Sequence, residues 1–381
     1  MKVLVVMDSL FTGGAEYSTL LWMEWMEAHG YDVKLVLLKP KNPSYKIEHF
    51  KVNPERVSQL VPGSGYQRYK QLQKIIDTFQ PEIVHSVLTA SNFLCRTLRL
   101  TGSRFVHVES LVNQPYSAER LSDASLSRWK IKAFQLFDRM TQKKGVQHFH
   151  ANSKAVAAHY MQAVSVPEQK LTVVPRGRQE NPWILQKKEL RNKYNEEFAI
   201  PSDHVLLINT GRHEHQKGHD VLLKAVALSK SDIPFTVLIA GREGAFTNSI
   251  FELLEQLGLK EKVQLIGHRT DIPQLLAAAD LFVFPSRFEG MPGALIEACA
   301  AGLAIVCTDL PCMTEVVTEN KNALLFPTED PQALATQLDQ LLMDADKRNE
   351  MGAESLVIFR NNFQLEHIHL SLEKLYQQQF A

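Results

Sequence analysis

Residues 281–297 read LFVFPSRFEGMPGALIE. Four consecutive apolar residues, Leu281 to Phe284, suit a strand buried on both faces of a parallel sheet. Pro285 to Glu289 then form the loop at that strand's carboxyl end. Pro292 suits the first turn of a helix, where its missing N–H costs nothing. Gly290 and Gly293 leave the backbone amides uncrowded. The stretch therefore reads as strand, tight turn, helix.

The same alternation extends in both directions. Upstream in the second half come strands at Val205–Thr210, Phe235–Ala240 and Val263–Ile266, with helices at 218–229, 247–256 and 272–278; downstream lie helix 293–301 and strand Ala304–Cys307. Helices near 331–343 and 346–358 follow, and a polar helix closes the chain at 364–379. The first half repeats the scheme: strand Val3–Met7, turn Thr12-Gly13-Gly14, helix Ala15–His29, strand Asp32–Leu38, helix 66–79, strand Glu82–Val87, helix 91–100, strand Arg104–Val108, a long helical region 118–143, strand Gln147–Ala151, helix 153–163 and strand Leu171–Val174. The polar stretch 179–203 reads as a linker with a short helix. Strand–helix alternation of this kind predicts α/β architecture with two Rossmann-like, doubly wound domains facing each other across a cleft. Ligands of such sheets bind at the carboxyl ends of the strands.

Bulk composition narrows the function. At 381 residues the chain exceeds one ordinary core, so two domains are expected. Apolar residues make up 45% and charged ones 22%, as in a globular protein. Lys+Arg and Asp+Glu both total 42, which gives no general basic field for nucleic acid. Cys95, Cys299, Cys307 and Cys312 show no CxxC spacing, so zinc and disulfides are not expected and a reducing cytoplasm fits best. The first apolar run is too short for a secretion signal, and no tract reaches the length of a membrane span. A cytoplasmic protein, at most peripheral on the inner face of a membrane, is the expectation.

Any anion site must then be local, and two stretches supply one. A bare helix start after Gly290-Met291-Pro292 is the kind of place that binds phosphate. Glu289 stands before that start and Glu297 about one turn inside it. Carboxylates beside a diphosphate would repel it, but they accept hydrogen bonds from the neutral vicinal hydroxyls that flank a diphosphate in a nucleotide-sugar. The plainer alternative is a helix with an N-terminal acid and one surface glutamate. The second stretch is GRHEHQKGHD, 211–220, which puts Arg212 and Lys217 in the loop after strand Val205–Thr210. Two fixed cations there can neutralise a diphosphate leaving group, a task otherwise given to a metal. Arg212 offers a fork and Lys217 a mobile point charge. A solvated loop is the alternative for an isolated Arg-x4-Lys; beside a helix start in the same domain it loses ground.

Other features carry less. Gly13-Gly14 permits close backbone approach to a ligand but lacks the GxGxxG dinucleotide fingerprint. Asp344-Ala345-Asp346 looks like an acidic metal-binding triplet yet sits in a polar helical stretch, and reads as solvated surface. His213, His215 and His219 cluster without cysteine partners and read as exposed loop residues. No metal site is expected. Arg128 to Phe137, RWKIKAFQLF, is basic and amphipathic; it reads as a core-packing helix, with peripheral membrane contact as the alternative.

On these residues the chain resembles the retaining glycosyltransferases of GT-B fold, family four (glycosyl transferases group 1). The second domain carries the resemblance over nearly its whole length, in GRHEHQKGHDVLLKA, FTVLIAG, VQLIGHRTDIPQLLAAADLFVFPSRFEGMPGALIEACAAGLAIVCTD and EVVTENKNALLFP. The first matches more loosely, through MDSLFTGGAE, the strand at 82–87, ANSKAVAAHY and KLTVVPRG. The resemblance implies an acceptor-binding domain at 1–178, a nucleotide-sugar-binding domain at 179–360, and a C-terminal helix, 361–381, crossing back to the first. It also implies that Arg212 and Lys217 hold the donor diphosphate, that Glu297 binds ribose hydroxyls, and that Glu289 binds those of the transferred sugar. The backbone of Gly290, Met291, Pro292, Gly293 and Ala294 would meet phosphate and sugar. Gly267, His268 and Arg269 would lie near the base, and Gly14 near the diphosphate.

Two departures stand out. Family members commonly have a histidine in the loop after the strand read here as Arg104–Val108, where this chain has RFVHVESLV. His107 then lies in the strand while Glu109 and Ser110 occupy the loop, and which of His107 and Glu109 takes that catalytic role, if either does, is left open. Arg176 stands where asparagine is usual and could add a phosphate contact. The implied reaction moves a sugar from a nucleotide-sugar to a glycan, lipid-linked or small-molecule acceptor with retention, by a front-face route in which the leaving diphosphate takes the acceptor's proton. No cofactor or metal beyond the donor itself is implied. The rival readings are a non-catalytic nucleotide-sugar-binding protein and a phosphorylase or epimerase of the same fold. Acceptor determinants fall in loops 9–14, 40–65 and 109–125.

Overall fold

In the computed structural model, residues 1–10, 13–39, 52–117, 120 and 127–380 are described. Parts of the expected acceptor loops, 11–12, 40–51, 118–119 and 121–126, lie outside them, as does the start of the helical region expected from 118. The chain divides into two units: Met1–Gly177 with Glu366–Ala381, and Arg178–Leu365.

Among the described residues the first unit has seven parallel strands: β1 (Lys2–Met7), β2 (Asp32–Leu37), β3 (Val57–Gln59), β4 (Ile83–Val87), β5 (Val106–Leu111), β6 (His148–Ala151) and β7 (Leu171–Val173). Their order is β3-β2-β1-β4-β5-β6-β7, so the chain doubles back between β1 and β4. Central strand β1 is a nearly uniform apolar run, as a strand covered on both faces requires, whereas β4 and β5 also bury His85, Ser86, His107, Glu109 and Ser110. The C-terminal helix Leu365–Gln377 packs Ile368, Leu372, Leu375 and Tyr376 onto the side that holds Trp22 and Trp25. Specific polar contacts fix it there: Trp22 Nε1 donates to Tyr376 Oη (3.2 Å), Trp25 Nε1 to Glu366 (3.0 Å) and Tyr31 Oη to Glu373 (2.7 Å).

Strand β5 corrects the sequence expectation. It starts two residues later and ends three residues later than read, so Glu109 and Ser110 are strand residues, buried in the sheet and not in a following loop. A carboxylate in a strand buried on both faces breaks the apolar pattern, and its partner explains how it is tolerated. Arg96, 1% exposed, donates from Nε and Nη2 to Glu109 (2.7 and 2.5 Å) and from Nη1 to Asp138 and to Thr141 Oγ1 (3.2 Å). Tyr116 Oη closes the network on Asp138 (2.8 Å). His107 is buried as well, its ring nitrogens 2.8 Å from Ser86 Oγ and 2.7 Å from the Gly145 carbonyl. A second buried chain runs from Tyr376 Oη through His85 and Ser110 Oγ to His150 and the Val174 carbonyl, with steps of 2.5, 2.7, 2.9 and 2.9 Å.

Helix Arg128–Gly145 also departs from expectation. Its buried positions are Asp138, Thr141, Gln142 and Gly145, while Trp129, Phe134, Leu136, Phe137 and Met140 are exposed. The core-packing reading of its apolar face is therefore overturned: the inner face is polar because it meets Arg96.

The second unit has six parallel strands: β8 (Val205–Thr210), β9 (Phe235–Ala240), β10 (Val263–Gly267), β11 (Leu281–Phe284), β12 (Ala304–Thr308) and β13 (Ala323–Phe326), in the order β10-β9-β8-β11-β12-β13. Here the reversal falls between β8 and β11, whose carboxyl ends lead into the two stretches singled out from the sequence. Leu207, Leu222, Val237, Ile239, Leu281, Val283 and Val306 form one core with the helices around them. All four cysteines are buried and free. Asp344 accepts from the Lys347 amide (2.8 Å) and so caps helix Ala345–Asn362. No described helix is long and apolar enough to cross a membrane.

The first unit buries several neutral imidazoles. Burial pushes His107 down to about 3 and His150 and His369 to about 4, and holds His85 well below the ordinary value. These groups favour the folded state only while uncharged, so their contribution is complete above the ordinary value near 6.5 and is lost as pH falls from there toward 4. Each adds about 1.4 kcal/mol of destabilisation per pH unit in that window. Denaturant titrations of the protein at successive pH values should show this slope, and His150→Asn should make it shallower by about one proton.

Candidate active site

The site of the second unit is assembled by the crossing of two loops at the β8/β11 switch point, the crevice where doubly wound sheets bind ligands. Backbone contacts join them first. The Arg287 amide donates to the Gln216 carbonyl (2.8 Å), and Gln216 Nε2 to the Phe288 carbonyl (2.7 Å). Glycine permits this closeness. At Gly218, with φ +65°, a Cβ would lie 2.1 Å from the Pro285 carbonyl oxygen, and at Gly241 one would lie 1.8 Å from that of Gly211. No side chain fits either position without moving backbone.

Side chains complete the joint. Lys217 Nζ meets Glu289 Oε1 at 2.5 Å and lies 5.3 Å from the centroid of the Phe284 ring. The cation expected to hold phosphate and the acid expected to hold sugar hydroxyls thus stand in direct contact. Arg212, in the same loop, is 40% exposed, and its Glu214 contact is long at 4.0 Å.

Arg287, to which the sequence reading gave no role, is the clamp beneath both loops. Its guanidinium is bidentate to Asp220 (3.0 and 2.9 Å), reaches the His215 carbonyl (2.5 Å) and bonds both oxygens of Glu329, one at 2.9 Å. Burial opposes the charge on Asp220, yet the Arg287 bonds hold its carboxyl below the usual range. The only sequence signal was a third cation in PSRFEG, directly after the strand.

Helix Gly293–Ala300 begins without a side-chain cap, with Pro292 as its N-cap residue, one position earlier than the first-turn place expected. The Leu295 and Ile296 amides return to the Pro292 carbonyl (3.1 and 3.3 Å). The Gly293 and Ala294 amides precede any intrahelical acceptor and mark the positive end of the helix dipole. A second arginine stands there. Arg178, almost fully buried, bonds Glu297 (Nε–Oε1, 2.6 Å), and its Nη2 lies only 2.1 Å from where a Cβ on Gly293 would be. Helix start and guanidinium reinforce each other as an anion-attracting pair, and Glu297 is the compensating acid. The sequence offered Arg178 in VPRGR, but nothing tied it to a helix over a hundred positions later.

The remaining candidates divide. Gly267 ends β10 at φ +67°, and its carbonyl accepts from the Gly241 amide (2.8 Å). His268 is exposed, whereas the Arg269 guanidinium is bidentate to Asp271 (2.8 and 2.7 Å) and bonds Glu197 (2.7 Å). The loop histidines are not all exposed: His213 and His219 are buried, and burial pushes His219 down to about 3. Gly14 and Arg176 meet in the first unit, where a Cβ on Gly14 would lie 2.5 Å from Arg176 Nη1. His107 and Glu109 are enclosed in the first sheet with the partners described above. Among the described residues, no group of three or more His, Cys, Asp or Glu could hold a metal ion.

If the clamp sets the site, Gly218→Ala should disturb it more than a single methyl would elsewhere. Positive φ alone costs about 1 kcal/mol for alanine, and contact with the Pro285 carbonyl adds to that. The expected result is a fall of about 2–4 kcal/mol in the stability of the second unit, read by chemical denaturation.

Comparison with known proteins follows the same division of the chain. Residues 12–179 match the model described as Glycosyltransferase Family 4, and residues 190–355 the one described as Glycosyl transferases group 1. The putative glycosyltransferase EpsD of Bacillus subtilis (strain 168) is 24% identical over 339 residues, covering 88% of this chain and 86% of its own length. The lipopolysaccharide core biosynthesis mannosyltransferase LpsB of Rhizobium meliloti (strain 1021) is 29% identical over 174 residues, 44% of this chain and 50% of LpsB. Among solved structures, Anabaena Alr3699/HepE in complex with UDP-glucose aligns with a TM-score of 0.83 and 18% identity, covering 99% of this chain and all of that one, a likeness of fold. Two Rossmann-like units are the GT-B fold, and with both family models matched in sequence order this chain belongs to the group 1 glycosyltransferases.

Proposed function

We propose that the protein transfers a sugar from a nucleotide-sugar to a glycan or lipid-linked acceptor with retention at the anomeric carbon and without a metal. One observation carries this reading: Lys217 and Glu289 touch at the β8/β11 switch point, beside the start of helix Gly293–Ala300, which has no side-chain cap. A donor diphosphate would draw Lys217 and Arg212 to its oxygens, and Glu289, freed from the lysine, would accept from the sugar's hydroxyls. Glu297 would do the same for ribose, oriented by Arg178. The relatives support the partner class. HepE was solved with UDP-glucose, and LpsB is named as a mannosyltransferase of lipopolysaccharide core biosynthesis.

In the front-face route the bond from the anomeric carbon to the diphosphate oxygen breaks as a bond to the acceptor oxygen forms on the same face, and the acceptor's proton passes to the departing phosphate. Charge then grows on the diphosphate, where Arg212, Lys217 and the Gly293 and Ala294 amides stabilise it. No enzymic base is required, which accords with His107 and Glu109 being committed to partners inside the sheet. That same enclosure is what favours the rival reading, a nucleotide-sugar-binding protein without transfer.

Release of nucleoside diphosphate from a panel of nucleotide-sugars and acceptors tests the proposal. Turnover should persist in EDTA, and the product should keep the donor's anomeric configuration. Arg212→Ala and Glu289→Ala should each lower kcat/KM by about a hundredfold or more. Donor binding without turnover on any acceptor would establish the binding protein instead. Product formed only with inorganic phosphate would establish a phosphorylase.

A further inference from the structure

Helix Arg128–Gly145 is inside out. Its buried side is polar: Asp138 bonds Arg96, Thr141 stands 3.2 Å from the same guanidinium, and Gln142 Nε2 donates to the Val164 and Ser165 carbonyls (3.3 and 3.2 Å). Its solvent side is apolar. Trp129, Leu136 and Met140 are 84%, 61% and 72% exposed. At 3.6 residues per turn, positions 129, 133, 136 and 140 fall on one line along the helix. Phe134 and Phe137 flank that line and rest partly against Phe93, at centroid distances of 6.0 and 4.9 Å.

Charge on the helix has one sign. Arg128, Lys130, Lys132, Arg139, Lys143 and Lys144 stand against one acid, Asp138, which is buried and paired with Arg96. The whole chain, by contrast, balances 42 bases with 42 acids. An apolar stripe of tryptophan, leucine and methionine bordered by lysine and arginine is the pattern of a helix lying in the interface of a bilayer. A second copy of this chain is a poor occupant, because pairing the two stripes would set six cations against six. A neutral apolar partner would leave the cationic border without a purpose.

We infer that this helix docks the first unit flat on an anionic lipid surface, with Trp129, Leu136 and Met140 entering the headgroup–acyl boundary and the flanking lysines and arginines meeting lipid phosphates. Lying flat, eighteen residues cover about 27 Å of that surface. The inference goes beyond the donor site and is independent of it. A soluble acceptor assay reads the donor site alone, so failure of either can be told from failure of the other.

The test is co-sedimentation of the intact protein with vesicles of phosphatidylcholine alone and of phosphatidylcholine with one third phosphatidylglycerol. Binding is expected to the anionic vesicles only, and to weaken as salt is raised. A Trp129→Ser, Leu136→Ser, Met140→Ser variant should bind more than about tenfold less tightly. Lys132→Glu, Arg139→Glu, Lys143→Glu should lose about fivefold or more per position. Since all six positions are exposed, both variants should keep the parent melting temperature. Trp129→Phe should still bind but lose quenching of tryptophan fluorescence by brominated lipid. Equal binding to neutral vesicles, no binding to either, or parent-like binding by the stripe variant would overturn the inference. So would a concentration-dependent dimer that the stripe variant abolishes, which would make the face a protein interface.

Discussion

The contact between Lys217 and Glu289 ties together two loops that the fold only brings near each other. Adjacent parallel strands β8 and β11 end side by side, but nothing in sheet geometry fixes the loops beyond them. The ion pair does, at 2.5 Å, with both side chains largely shielded from water. Shielded pairs of this kind are weak sources of net stability, since desolvation offsets most of the attraction. Their strength lies in what removal of one partner would cost. Neither charge can leave without a substitute, so the pair is stable by itself yet open to exchange with a ligand that offers both an anion and hydroxyls.

Such an exchange needs a rigid frame, and Arg287 provides it from below. By holding Asp220, Glu329 and the His215 carbonyl at once, it fixes the start of helix His219–Leu228, the segment after β13 and the turn of the cationic loop. Arg178 has the complementary role at the helix start, where a cation next to the positive end of a dipole would be unfavourable without Glu297. Three arginines therefore differ in function through their partners alone. Arg287 is gripped by two carboxylates, Arg178 is paired with Glu297, and Arg212 stays 40% exposed with a long contact to Glu214.

How much of this was legible in the sequence follows from whether the signal was local. The strand–turn–helix at 281–297 is local, and so were the alternation of both units and the two loops of the site. What escaped depends on partners distant in sequence. Glu109 ended the β5 reading early because a carboxylate looks like a loop residue until Arg96 is known to pair with it. Two strands were not read: β3 is three residues long and has no apolar run, while β13, the four apolar residues ALLF, follows the polar stretch TENKN and was passed over. His213 and His219 looked exposed because a glycine-flanked loop usually is, but this one is pressed under β11's exit. Arg178 and Arg287 were visible as cations, while their roles were set by acids over forty positions away.

Helix Arg128–Gly145 shows the same limit in its strongest form. Periodicity states that a helix has an apolar face, and the usual inference that this face points inward assumes that the core is apolar. Under this helix it is not: Arg96, Glu109, His107 and Ser86 occupy that side of the first sheet, and a guanidinium bound to two carboxylates needs oxygen atoms from whatever covers it. Asp138 and Thr141 supply them, which fixes the rotation of the helix about its own axis. Once that rotation is set, Trp129, Leu136 and Met140 have no direction left but outward. The buried ion network and the exposed apolar stripe are therefore two consequences of one choice, the placing of a charged triad where a core would otherwise have been. Replacing the triad by apolar side chains of similar volume would remove the reason for the helix to face as it does.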